Sequence, residues 1–496
     1  MSITSPATSR PNRWTVLALL GIAQLMVVLD ATIVNIALPS AQRALHFSND
    51  NRQWVITAYA LAFGSLLLLG GKLGDLFGRK WTLIGGLTGF AVASAIGGLS
   101  QSFGMLVGAR ALQGAFGAIL APSALGLLTV TFQGSADRPK AFGIFSAIAA
   151  GGASVGLLLG GVLTQVISWR WCLYVNLLIA VPTAIVAFRL LGNERQLARP
   201  RLDLPGTALA SGGLFALVYG FSNAETHSWS HPVTIVALVA SALLLGSFVV
   251  LERRVADPLL PLHIIWDRAR GGAYATIALA GSAVFAVFLF LTYYLQQNLG
   301  YSPLKTGLAF LPMTAGIVLT ATTVQTRVLH RTGAKPLVMG GMSLGVIAML
   351  LFTQLSPDSA YVPQVLPGLL LTGVGMGCIF APAFSTATLG VNNSDAGIAS
   401  AMVNTSQQVG GSVGTALLST IFASAATSFA SGHARTSGLA TAASIHGYTT
   451  AFAWAAGLFA AGLLVAIFVL PSDGAARARA AQAQASNDLK FSLETT

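Results

Sequence analysis

The feature that most constrains this chain is its succession of long apolar runs. They fall near residues 14–38, 53–71, 81–100, 103–132, 140–166, 169–191, 204–223, 232–251, 270–297, 305–328, 335–355, 360–388, 398–426 and 447–470, fourteen in all. A helix needs about 20 apolar residues to cross a hydrocarbon core of about 30 Å, and each of these runs is near that length. Only helices and closed barrels satisfy their backbone polar groups in lipid, and runs of this length are helical. The expectation is therefore an all-α polytopic membrane protein with 14 transmembrane helices. Composition agrees: 8% of residues are charged and 54% are hydrophobic, against about a quarter charged in soluble domains. A soluble enzyme, a disordered scaffold and a nucleic-acid binder are all disfavoured. The first run is too long for a signal-peptide core, and Asp30 interrupts it.

The net charge of +12 has an orientation to it. With the N-terminus in the cytoplasm, 21 of the 27 basic residues fall in cytoplasmic segments. Five fall outside, and Arg110 lies within a span. This is the positive-inside pattern, and it puts both termini in the cytoplasm of a multi-pass cytoplasmic (inner) membrane protein. Cys172 and Cys378 lie in apolar runs and form no ligand pair. The seven histidines fall in loops or at span ends, and no phosphate loop is present. Metal, nucleotide and other cofactor chemistry is therefore not expected.

An internal repeat sets the domain plan. The stretch Asp75 to Gly86 (DLFGRKWTLIGG) aligns with His330 to Gly341 (HRTGAKPLVMGG), the glycines and the lysine matching at an offset of 255 residues. The two loops are eight spans apart, which suggests two homologous halves around two extra spans. Repeats about an axis along the membrane normal are a transporter signature. The boundaries expected are 1–196 for an N-terminal six-helix bundle, 197–268 for two additional helices and a linker, 269–471 for a C-terminal six-helix bundle, and 472–496 for a cytoplasmic tail. Asp257–Trp266 is too short to span and reads as an interfacial segment feeding the second half. The tail reads as mobile or as a loosely attached helix.

Nearly the whole chain resembles the major facilitator superfamily, and within it the fourteen-helix drug:proton antiporter branch. Leu29-Asp30-Ala-Thr-Ile-Val-Asn35-Ile-Ala-Leu-Pro39 is similar to that branch's first-helix motif. Gly71-Lys-Leu-Gly74-Asp75-Leu-Phe-Gly78-Arg79-Lys80 matches the superfamily's loop between helices 2 and 3. Arg110-Ala-Leu-Gln113-Gly114 with Pro122 matches the fourth-helix motif, and Trp169-Arg170-Trp171 with Asn176 fits the start of helix 6. In the second half, Tyr294 through Gly307 and Gly397 through Gly410 fit as well. Two positions depart: Leu157 replaces the proline of the helix 5 motif, and Asn176 is followed by Leu-Leu-Ile-Ala180 where Asn-x-Pro-x-Gly is usual. The resemblance implies a major facilitator fold and a proton-coupled exporter of drugs or antibiotics with no enzymatic activity.

Physical chemistry singles out the same residues. Asp30 is the only acidic residue well inside a span, at an insertion cost of ~2.5–3.5 kcal/mol. Such a carboxyl can be a proton carrier, or one arm of a salt bridge that only positions helices. Arg110 is the only deep basic residue, and helix rise puts both charges roughly 10–12 Å from the same end of their spans. The resemblance to the antiporter branch favours the proton carrier, and implies proton coupling at Asp30 and Arg110. Asp75 can cap helix 3, and the resemblance implies that Gly74, Asp75, Gly78, Arg79 and Lys80 latch the two halves on the cytoplasmic side. Gly152, Gly156, Gly160 and Gly161 permit close helix packing, either generic or as a gate between the halves. Candidate substrate contacts are Asn35, Tyr59, Gln113, Tyr293, Tyr294, Gln296, Gln297, Asn404, Gln407 and Gln408, sparse polar groups in apolar spans. Such a cavity suits a small amphipathic organic molecule. With no second embedded acid, a neutral, weakly acidic or monocationic substrate is favoured over a dication. The partners expected are that substrate, protons as the coupling ion and the lipid bilayer, around a functional monomer. A facilitator or proton symporter for a metabolite is the first rival reading; a sensor or membrane enzyme is the second.

Overall fold

The computed structural model describes residues 12–47, 54–192, 202–255, 257–391, 395–433 and 438–471. The tail beyond 471 lies outside the described residues. The long helices are α1 (Arg13–Leu45), α2 (Trp54–Phe77), α3 (Arg79–Gly98), α4 (Phe103–Thr131), α5 (Arg138–Val166), α6 (Trp171–Leu190), α7 (Leu204–Thr226), α8 (Pro232–Glu252), α9 (Arg268–Tyr293), α10 (Leu311–Thr323), α11 (Ala334–Phe352), α12 (Leu366–Ala387), α13 (Ala396–Gly432) and α14 (Leu439–Phe468). There are no strands among the described residues. Thirteen spans pass as continuous helices, and α5, bent by 41° between Ala153 and Leu158, makes the fourteenth. That bend sits where Leu157 replaces the family's proline. A stretch containing Gly151, Gly152, Ser154 and Gly156 supplies the flexibility instead.

The glycine turns of the repeat have the same backbone geometry. Gly78 precedes α3 with φ 90°, and Gly333 precedes α11 with φ 80°. Both conformations are reserved for glycine, so the sharp reversal into each helix requires it. The repeat extends to packing. A Cβ on Gly86 would meet the Leu120 backbone at 3.2 Å, and one on Gly341 the Gly375 carbonyl at 2.6 Å. Those two partners also differ by 255 residues. Lys80 lies 5.2 Å from the Phe188 ring near the end of α6, and Lys335 donates to the Ile467 carbonyl near the end of α14. Cations are favoured at helix C-termini, and each half places one there.

Within the N-terminal half α1 packs on α5 and α2 on α4; in the C-terminal half α9 packs on α13 and α11 on α12. The inserted α7–α8 hairpin lies beside both halves, with α7 against α2 and α13. Its outer helix α8 exposes Val233, Val236, Val239, Leu243 and Val250, an apolar face suited to lipid. In the segment before α9, Leu259, Leu260 and Ile264 are buried, Trp266 is 69% exposed, and Leu262–Trp266 forms a short helix. Three apolar side chains in that stretch outweigh its two prolines and draw it into the core.

At the end of the bundle that carries the basic loops, the core is continuous across both halves. Leu83, Leu125 and Phe142 belong to the same buried cluster as Phe384, Ile398 and Val403. The rest of the C-terminal half has its own core, built around Phe290, Tyr294, Tyr448 and Phe452.

Candidate functional site

Asp30 is fully buried and Arg110 is 2% exposed. Arg110 Nη1 donates to Asp30 Oδ2 at 2.6 Å. Gln113 Nε2 donates to Asp30 Oδ1 at 3.0 Å, and Asn176 Nδ2 to the same oxygen at 2.6 Å. The carboxylate thus accepts three side-chain bonds from α4 and α6. Arg110 and Gln113 are three residues apart, so α4 presents both on one face. Arg110 Nη1 also donates to Gln113 Oε1 at 2.7 Å, and its Nε to the Val55 carbonyl at 3.3 Å. Gln113 Nε2 reaches Ser94 Oγ at 2.6 Å. The guanidinium carbon stands 4.3 Å from the centre of the Tyr59 ring, so an aromatic face covers the cation. Gly114 makes this approach possible, since a Cβ there would sit 2.4 Å from the Tyr59 carbonyl.

A cavity of about 280 Å³ lies between the halves. Gln24, Val27, Val28, Ala31 and Thr32 of α1 line it, with Tyr59 and Phe63 of α2, Ala121, Ser146 and Ala149. Phe380, Phe384, Asn404, Gln407 and Gln408 close it from the C-terminal half. Asp30 is on the same stretch of α1 but turned away, toward α4 and α6. One helix therefore carries the cavity wall on one face and the buried carboxylate on the next. Tyr59 links the two, because it lines the cavity and lies over Arg110.

Of the expected substrate contacts, Tyr59, Asn404 and Gln407 line the cavity, as does Gln408. Gln113 does not: it is buried in the Asp30 network, where its amide satisfies both charged partners. Tyr293, Tyr294, Gln296 and Gln297 are also elsewhere. They sit where α9 widens into a π-turn, Tyr294–Asn298, about 40 Å along the helix from its basic end and past the cavity. Tyr293 is 40% exposed, and Gln297 accepts a bond from the Tyr448 hydroxyl. The side chain of Asn35 lies outside the described residues. Gln24, Thr32, Ser146 and Phe380 were not anticipated; polarity or bulk within a span was their only signal.

At the basic end, Asp75 spans the two halves. Its Oδ1 accepts from Arg79 Nη2 at 2.8 Å and from the Gly397 amide at 3.1 Å, and its Oδ2 from the Ile398 amide at 3.3 Å. Those amides are the free N–H groups of the start of α13, where an anion is favoured. The backbones meet beside it: a Cβ on Gly71 would lie 2.7 Å from the Gly397 carbonyl. Gly74 is looser, with Ser123 and Thr82 oxygens at 3.6 Å. Lys80 faces α6 rather than the other half. Arg138 makes a second tie across the seam, donating to Thr388 Oγ1 at 2.9 Å. In sequence it counted only as loop charge.

The α5 glycines divide. A Cβ on Gly152 would meet Val28 at 3.1 Å, one on Gly156 the Leu29 carbonyl at 2.9 Å, and one on Gly160 the Ile33 carbonyl at 3.0 Å. All three abut α1, so their close packing is internal to the N-terminal half. Gly161 has nothing within 4 Å, and Gly151 is the glycine turned to α10, 3.3 Å from Thr314.

The family model described as Major Facilitator Superfamily matches residues 20–415. The chain belongs to the major facilitator superfamily. It is a membrane transporter by that membership. It is 47% identical to the puromycin resistance protein of Streptomyces alboniger over 90% of this chain and 89% of that one. It is 38% identical to the cephamycin export protein of Amycolatopsis lactamdurans, over 85% and 86% of the two chains. The tetracenomycin C resistance and export protein of Streptomyces glaucescens is 34% identical, over 85% and 78%. Among solved structures, the human organic anion transporter MFSD10 superposes with a TM-score of 0.62 at 17% identity, covering 92% of this chain and all of that one. That likeness speaks for the fold.

Proposed function

We propose that this transporter exports small amphipathic organic compounds, antibiotics among them, from the cytoplasm in exchange for protons. The observation that carries the reading is the placement of Asp30. It is a buried carboxylate bonded to Arg110, Gln113 and Asn176 behind the same α1 segment that walls the cavity. The three relatives, whose names speak of resistance or export, support efflux as the direction.

The basic end is the cytoplasmic end, and both termini lie there. The Asp75 and Arg138 ties and the shared core close that side, so this arrangement faces outward or is occluded. Asp30 takes its proton from the outer solution. Protonation cancels the charge that balances Arg110, and the guanidinium then leans on Gln113, the Val55 carbonyl and the Tyr59 ring. A displaced Arg110 drags on Tyr59, and Tyr59 is a cavity wall. Substrate pressing on Tyr59 in the inward-facing form returns Arg110 to Asp30 and expels the proton inward. The apolar cavity with a few amides selects neutral, weakly acidic or monocationic molecules. A monomer contains all of these parts, and the proton is the only coupling species required.

The test is transport in vesicles of defined pH polarity, starting with puromycin and a panel of amphipathic compounds. Uptake against its gradient into acid-loaded inside-out vesicles is the expected result. Accumulation in the same direction as the protons would instead make the protein a symporter, and equilibration without accumulation a facilitator.

A further inference from the structure

A pair of buried acids lies outside the cavity, at the basic end of the inserted hairpin. Asp203 caps α7, its Oδ1 accepting from the Gly206 amide at 2.9 Å. Its Oδ2 is buried with no donor among the described residues, and the residue is 7% exposed. Glu252 ends α8 and is 5% exposed. Its Oε1 accepts from the Leu259 amide at 3.3 Å and its Oε2 from the Leu260 amide at 3.1 Å. The two carboxyl groups converge over Gly206: a Cβ there would lie 2.2 Å from Asp203 Oδ2 and 2.6 Å from Glu252 Oε1. The side chains are within hydrogen-bonding reach of each other.

No salt bridge among the described residues reaches either acid. Two desolvated carboxylates in contact repel strongly, and a single proton turns that repulsion into a hydrogen bond. A metal ion suits the place poorly, since calcium or magnesium takes six or more oxygens. Here both Glu252 oxygens already face amides, and no metal-binding cluster occurs among the described residues. The other described charged groups around the pair are committed or exposed. Lys72 of α2 donates to the Pro258 carbonyl at 2.9 Å. Asp75 of α2 is bound to Arg79 and the start of α13. The cap of α13, Asp395, faces His263 at 3.9 Å. Arg253, Arg254 and Asp257 are exposed.

We propose that Asp203 and Glu252 share one proton and form a second protonation site, distinct from Asp30. This site clamps the Pro258–Leu260 segment to the hairpin and, through Lys72, to α2. The clamp matters because Lys72 adjoins Gly71, which touches the Gly397 backbone at the closed seam. An alkaline solution at the basic end removes the proton, drives the carboxylates apart and frees the segment, and α2 then loses a brace beside the seam. The site responds to pH, and neither acid lines the cavity.

Hydrogen exchange on the full-length protein in nanodiscs, corrected for intrinsic rates, reads the clamp at the Leu259 and Leu260 amides. Between about pH 6 and about pH 9 their protection should fall at least tenfold in the wild type. It should fall equally in Asp30→Asn, which leaves this site intact. In Asp203→Asn the amide keeps the cap and donates permanently to Glu252, so protection should stay high throughout. Protection independent of pH in the wild type, or an unchanged pH response in Asp203→Asn, overturns the proposal. An infrared carbonyl band of a protonated acid, present at neutral pH in the wild type and lost in Asp203→Asn, is the companion measurement. Its absence from the wild type overturns the proposal even if the variant does not fold.

Discussion

Asp30→Asn keeps the shape of the carboxyl group and removes its charge and its proton site. The structure sets the scale of two separate effects. For stability, Arg110 at 2% exposure loses its ion-pair partner, and stranding one charge of a buried pair costs ~3–5 kcal/mol. The low end applies here, because the guanidinium keeps the Gln113 oxygen at 2.7 Å, the Val55 carbonyl at 3.3 Å and the Tyr59 ring. The Asn side chain can also still offer its oxygen to Asn176. The variant should therefore fold, with a lowered melting temperature. For transport, one pH unit is worth about 1.4 kcal/mol per proton, a tenfold gradient of a neutral substrate at one-to-one exchange. Proteoliposomes with a one-unit gradient should accumulate substrate about tenfold with the wild type. With Asp30→Asn the ratio should settle at about one, while substrate binding to detergent-solubilised protein changes little. A variant that folds and still concentrates substrate as the wild type does would refute the assignment of Asp30 as the coupling group.

Four other substitutions follow from the geometry of the structure. Gly156→Ala places a methyl 2.0 Å from Thr32 Oγ1 and 2.9 Å from the Leu29 carbonyl; overpacking should cost ~1–3 kcal/mol in thermal unfolding. Gly161→Ala meets nothing within 4 Å and should stay within about 0.5 kcal/mol of wild type in the same assay. Gly333→Ala must hold φ 80°, and a loss of ~1–3 kcal/mol is expected in denaturation of the purified protein. Asp75→Lys replaces the acceptor of the Gly397 and Ile398 amides with a cation, and should slow transport at least tenfold while substrate affinity shifts less than threefold. Equal losses in rate and affinity would argue against a latch.

The spans were legible because apolar length is a one-dimensional property, and a 20-residue run needs no tertiary knowledge to be read. The Asp30–Arg110 pair was legible for a related reason. Buried charges in lipid need partners, and helix rise converts sequence position into depth. Azimuth was not legible. Gln113 and Tyr59 are both polar residues on apolar helices, yet one turns into the ion-pair network and the other toward the cavity. Their helices carry almost no amphipathic signal, since lipid and core are equally apolar. The same blindness to azimuth left the α5 glycines undecided between gate and packing. Tyr293, Gln296 and Gln297 are a different case: they lie past the cavity along α9, at a depth that helix rise gives from sequence position. Arg138 was missed because a loop arginine near a membrane face has an adequate explanation in topology alone, and only the fold brings Thr388 to it.

The repeat shows which parts of the molecule are scaffold and which are chemistry. Gly78 and Gly333, Lys80 and Lys335, and the contacts of Gly86 and Gly341 recur in both halves, and each serves helix packing or a helix end. Asp30, Asp75 and Arg110 do not recur: α9 to α14 contain no acidic residue. Where the N-terminal half has Asp75 and Arg79, the C-terminal half has His330 and Ala334. The C-terminal half answers the Asp75 carboxylate with backbone amides at the start of α13, a partner that carries no formal charge. Each embedded charge raises the cost of insertion, and a second copy at the pseudo-symmetric position would need its own network to be tolerated. Concentrating the charges in one half leaves the other to supply neutral surfaces, and on the proposed coupling a single carboxylate is then enough to bias the relation between the two.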